Sequence, residues 1–262
     1  MGHIKVANLM RIRQYVPAKT VWGAIVHALV QHGLSKDFEE AQNQVSEHLA
    51  FSYFFPALAE NEPLYPRYTE KGLRYGVKGM TADEFERRLL SSYGSTALDY
   101  FSNTALQGSL HETEFISPFD QIDGKPVYLI GYIFERESSD LGWKKVLSEV
   151  RLGGERKLGW GKVRLERIDV SPADFFGLDV RLNTDRPWVK MKANNHLMAH
   201  CEVGTLQARG QIEPFLGRET REAVRFGGAL VDHVPVCWVP GSLVLEDVVL
   251  QIDKSGVHNK VG

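Results

Sequence analysis

The run "EVRLGGERKLGWGKVRLERI", from Glu149 to Ile168, places four glycines and six basic residues in one connection. Just upstream, Trp143, Val146, Leu147 and Val150 recur at i, i+3, i+4 and i+7, the spacing of one helical face. Downstream, "KVRLERIDV" alternates as a strand does. The glycines thus join a predicted helix to a predicted strand, where they supply left-handed backbone and let another chain approach closely. That setting excludes two phosphate loops. Gly154 and Gly159 have the Walker spacing, but Trp160 stands at the lysine position and a strand follows. The dinucleotide fingerprint fails because Gly159-Trp160-Gly161 runs on into Lys162-Val163-Arg164. What remains is a cationic loop. Its exposed amides form an anion-binding concavity, Arg156 and Lys157 add charge for phosphate, and Trp160 offers a stacking face for a base. A tight connection through a crowded corner would use the same glycines.

The rest of the chain gives the loop a context. Residues 4–16 read as a first strand ended by Pro17, with Thr20 as the expected N-cap of an apolar, buried helix closed at Gly33. Asp37 with Glu40 predicts a second helix to about Leu49, and Thr81 with Glu84 a short third one closed by Gly94. Residues 51–80 read as loop. "HETEFISP" (111–118) and "KPVYLIGYIFER" (125–136) read as a hairpin turning at Asp123-Gly124. The resulting order is β-α-insertion-β-β-α-β. It predicts an α+β fold, ferredoxin-like (RRM-like) βαββαβ, over residues 1–168, with an insertion at about 51–110. Residues 169–262, including "LQARGQIEPFLGRETREAVRFGGAL", predict a β-rich extension packed on that unit.

Composition narrows the function classes. A net charge of −2 over 262 residues argues against a chain that coats nucleic acid with its whole surface. The cations are local: Lys5, Arg11, Arg13 and Lys19 without an acid in residues 1–20, then the glycine segment. The fold would have to bring these two segments onto one face. No apolar run approaches the ~18 residues of a membrane span. Two cysteines, Cys201 and Cys237, make no disulfide framework, so a cytoplasmic setting is expected.

"LGGERKLGWGKVRL", in that helix-to-strand setting, resembles the glycine-rich loop of the RAMP superfamily, the RNA-binding proteins of CRISPR-Cas systems. "YVPAKTVWGAIVHAL" resembles the same family's first strand, proline turn and first helix, with Ala18-Lys19-Thr20 replacing the usual Gly-Ser-Ser/Thr. "YLIGYIFE", followed by a helix and "GGERKLGWG", is similar to type III effector subunits. "GQIEPFLGRET" and "CWVPGSLV" are similar to parts of longer, two-part members. The resemblance implies a crRNA-binding subunit of a type III complex for antiviral defence, packed against other effector subunits and target RNA, with no cofactor. Gly153, Gly154, Gly159 and Gly161 would shape the loop, and Arg156, Lys157 and Lys162 would contact guide-RNA phosphates. Lys19 and Thr20 would lie near the same RNA at a helix start. Arg11 and Arg13, pointing to one side of the first strand, would line the face.

Two alternatives stay open, an endoribonuclease that processes crRNA or cuts target RNA, and a ferredoxin-like protein-interaction module. The repeat-processing branch of the superfamily uses a histidine near the first helix, which points to His27. A loop aspartate serves in target-cutting subunits, which points to Asp120 or Asp123, both also ordinary turn residues. His196 and His200, with Cys201 and Cys237, have the residue types of a zinc site but lack its CxxC pairs, so no metal is expected.

Overall fold

The computed structural model describes residues 3–6, 9–169, 174–182, 185–219, 229–230, 234–254 and 256–261. Val170, at the end of the predicted last strand, and residues 220–228 of the C-terminal reading lie outside them.

Helix α1 (Ala18–Gln31) starts earlier than expected. Pro17, not Thr20, is its N-cap, because a fixed proline φ suits the helix start and a missing amide costs nothing there. Ala24, Ile25, Val26, Ala28 and Leu29 bury nearly every face of the helix. Truncating Ile25 or Leu29 to alanine would cost about 2–5 kcal/mol. Gly33 ends the helix with φ 68°. Helix α2 (Phe38–His48) is capped by Asp37, whose carboxylate accepts from the Glu40 amide at 2.9 Å. Helix α3 (Ala82–Leu89) is capped by Thr81, which accepts from the Glu84 amide at 3.1 Å. It ends at Leu90 rather than Gly94, because the strand Leu90–Ser95 runs through that glycine. The predicted helix before the glycine segment forms as a 3-10 helix, Trp143–Glu149, which packs against α1 and buries Trp143 and Val146.

The expected first strand is two, His3–Val6 and Leu9–Ile12, paired antiparallel. With His111–Ile116 and Leu90–Ser95 they make a four-stranded sheet in which Leu9–Ile12 runs parallel to His111–Ile116. The expected hairpin between 111–118 and 125–136 does not continue as a ladder. The bridge Phe119–Pro126 closes its turn, but Pro118 and Pro126 lack amide donors and the chains part. Tyr128–Ile130 pairs instead with Phe55–Ala57, and Ile133–Glu135 with Leu49–Phe51. Residues 51–80, expected as loop, therefore hold strands, and Phe51, Tyr53 and Phe55 are fully buried. Alternation across the sequence could not show that these central pairings use the insertion.

The C-terminal part is β-rich. An eight-stranded sheet runs from Asp174–Phe175 to the edge strand Ile212–Pro214. One hydrophobic core joins α1, the buried 51–55 run and the 3-10 helix to Val189, Met191, Leu250 and Ile252 of that sheet. The architecture is α+β.

Candidate nucleic-acid interface

The glycine segment is a hairpin. The Leu152 amide donates to the Gly161 carbonyl at 2.8 Å, and Arg151 bridges Lys162. Val150 and Leu152 are buried below it, so the stem is anchored in the core while the tip projects. Gly161 has φ 76°, and a Cβ there would meet the Leu152 carbonyl oxygen at 2.1 Å. Gly153 (φ 101°), Glu155 (φ 50°) and Gly159 (φ 91°) also take left-handed backbone around a single 3-10 turn, Arg156–Leu158. Gly153 and Gly154 are half-buried and Gly159 is exposed.

Arg156, Lys157 and Lys162 all face solvent. Among the described residues none of the three has a carboxylate partner. Trp160 differs from the expectation of an open stacking face. It is half-buried against Phe115 at 4.9 Å, edge to face, and Tyr93 at 5.8 Å, and so fastens the hairpin to the four-stranded sheet. Sequence alone gave no sign of either partner.

Lys19 and Thr20 are half-buried in the first turn of α1. The turn at Gly256 packs on that start, where a Cβ would come within 2.0 Å of the Ala18 Cβ. Arg11 and Arg13 part company. Arg11 is exposed, and the strand register sets it on the face of Glu112 and Glu114, opposite the face where Trp160 docks on Phe115. Arg13 is only 15% exposed and pairs with Glu213 at 2.9 Å. Neither arginine therefore adds to the hairpin's cations on the face where Trp160 docks.

Behind Arg13 lies a relay the sequence did not reveal. His200, fully buried, accepts at Nδ1 from the Tyr53 hydroxyl at 2.6 Å and donates from Nε2 to Glu213 at 2.6 Å. Burial lowers the His200 pKa. Burial pushes Glu213 upward, but the bonds from His200 and the charge of Arg13 win and hold its carboxyl below the ordinary range.

His27 is half-buried on α1, stacked on Phe38 at 6.0 Å. Its pKa is lowered by burial and then by the charge of Arg156. Asp120 and Asp123 are held by Arg88. The Asp120 side chain, 1% exposed, takes the guanidinium on both oxygens and also accepts from the Ile122 amide at 3.0 Å, while Asp123 takes it at 2.7 Å. These contacts are those of a clamped turn. His196 bonds the Tyr68 carbonyl at 3.2 Å, and Cys201 and Cys237 are buried free thiols. Among the described residues no group of three or more metal-ligating side chains converges.

No protein-family model and no curated protein matches the sequence. Solved structures do match the fold. A chain of the type III-B Cmr-beta complex bound to cognate target RNA superposes with a TM-score of 0.57 at 11% identity, covering 92% of this chain and 79% of that one. The same complex with target RNA and AMPPnP gives 0.58 at 13%, covering 93% and 82%. The Csm3-Csm4 subcomplex of a type III-A interference complex gives 0.50 at 13%, covering 89% of each chain. The chain has the fold of type III CRISPR effector subunits. No helix among the described residues is long and apolar enough to cross a membrane.

Proposed function

We propose that this chain is a RAMP-type RNA-binding subunit of a cytoplasmic type III CRISPR effector complex, with a ferredoxin-like core over residues 1–168. It holds crRNA through the glycine hairpin and contributes to antiviral defence. The observation that carries this reading is the hairpin itself. Its stem is fixed by Leu152 and Gly161, and its tip presents Arg156 and Lys157 with no carboxylate partner among the described residues. The likeness to complexes whose structures contain target RNA supports it. Arg13 is withdrawn from the proposed contact surface by Glu213, and Trp160 acts as a fastener.

Arg156→Ala with Lys157→Ala tests the assignment. Removing two phosphate contacts should make the salt dependence of single-stranded RNA binding shallower by about 1.4 in log–log slope. An unchanged slope and affinity would discard the hairpin as the RNA site.

The second reading is an endoribonuclease with His27 as its base. Burial first and the charge of Arg156 second lower the His27 pKa and keep the imidazole neutral, the form that accepts a ribose hydroxyl proton. Cleavage of repeat RNA that vanishes in His27→Ala would decide for it; an intact RNA product in the wild-type reaction decides against it.

A further inference from the structure

The segment Lys162–Asp169 alternates in sequence as a strand does, but beyond the bridge of Lys162 to Arg151 the expected strand does not form among the described residues. Beyond the Val163 amide, which donates to the Val150 carbonyl at 3.3 Å, residues 164–169 make no backbone hydrogen bond among the described residues. No residue in the segment takes a positive φ. Leu165 and Ile168 stand in solvent at 40% and 46% exposure. Its two arginines are already answered, whereas Lys162 is not: Arg164 pairs with Glu166 at 2.6 Å, and Arg167 with Glu60 at 2.9 Å and Asp169 at 2.5 Å. An exposed segment with its arginines matched and its backbone groups open suits a pairing strand better than a polyanion.

We infer that this segment pairs antiparallel with the same segment of a second copy of the chain, about a two-fold axis at Leu165. The charge pattern selects that occupant. With Leu165 opposite Leu165, Arg164 faces Glu166 of the other copy, Lys162 faces Ile168, and Val163 faces Arg167. No like charges oppose each other. Every neighbouring register is penalised. A slip of one residue sets Arg164 against Arg167, or Lys162 against Arg167. A slip of two sets Arg164 against Arg164, or Glu166 against Glu166. The interface is isologous, as a two-fold dimer requires. The inference does not depend on RNA binding.

Paired residues in an antiparallel ladder have Cα atoms about 4.5–5.5 Å apart, within disulfide reach. Leu165→Cys in the full chain, under mild oxidation, should therefore give a covalent dimer as the main product. The native thiols do not interfere, since Cys201 and Cys237 are buried. Leu158→Cys, 73% exposed on the hairpin tip, reports random collision and should cross-link at least about tenfold more slowly. Adding Arg164→Glu to Leu165→Cys should suppress the dimer, and adding Glu166→Arg as well should restore it. Equal rates for the Leu165 and Leu158 variants, or indifference to charge reversal, would overturn the proposal.

Discussion

Arg156, at the tip of the glycine hairpin, lowers the pKa of His27 in the middle of α1. Burial is the larger cause and the guanidinium the second, so the imidazole is neutral at pH 7. The hairpin tip and the first helix are thus electrostatically joined, although the sequence holds them far apart.

RNA phosphates bound at Arg156 should offset that positive charge and raise the His27 pKa toward its ordinary value. Arg156→Ala should raise it without RNA. Proton NMR titration of the His27 ring, with and without single-stranded RNA, measures both shifts. A wild-type value indifferent to saturating RNA would place the RNA elsewhere.

Gly161 and Gly159 should respond differently to alanine. At Gly161 the new Cβ meets a backbone oxygen, so the hairpin must reopen; a loss of about 2–4 kcal/mol and of RNA affinity is expected. At Gly159 nothing lies within 4 Å, leaving only the left-handed backbone penalty of about 1 kcal/mol. Urea denaturation of the two variants gives the difference.

The Arg88 clamp makes a prediction against a catalytic role for the turn. Arg88→Ala leaves the buried Asp120 charge without its partner and should cost about 3–5 kcal/mol. Asp123→Ala, at an exposed position, should lower stability by less than about 1 kcal/mol. Any RNA cleavage by the chain should survive Asp123→Ala; its loss would reinstate the turn as a catalytic site.

Acid should unfold the protein early. Burial holds His200 neutral, and burial lowers His258 to about 4. The folded state therefore binds fewer protons than the unfolded state once the pH falls below the ordinary histidine value of about 6.5. Stability is fully present above that pH and is lost below it, by up to about 1.4 kcal/mol per pH unit for each histidine. Glu213, also lowered, adds loss in the same direction at lower pH. Denaturant midpoints at pH 7.5 and 5 should fall in that order, and His258→Leu should reduce the difference. A flat profile would contradict neutral burial of the pair.

Much of the local structure was legible because its causes are local. Asp37 and Thr81 cap the helices that follow them, and the apolar α1 is buried. Gly153, Gly159 and Gly161 take the left-handed backbone that only their missing Cβ makes cheap. The partners of polar and aromatic side chains were not legible, since those partners come from distant segments. Arg11 and Arg13 look alike in the strand, yet one is exposed and the other is neutralised by Glu213. Trp160 offers a free ring in the sequence and is claimed by Phe115. Asp120 has the setting of any turn aspartate until Arg88 closes on it.

By itself, then, the sequence determined where the backbone turns, which helix is buried and where a cationic glycine loop lies, because dihedral preference and hydrophobic period act over a few residues. Only the tertiary structure decided which cations remain available to a ligand and which strands pair. Charge neutralisation and ladder formation depend on what folding brings within about 3 Å.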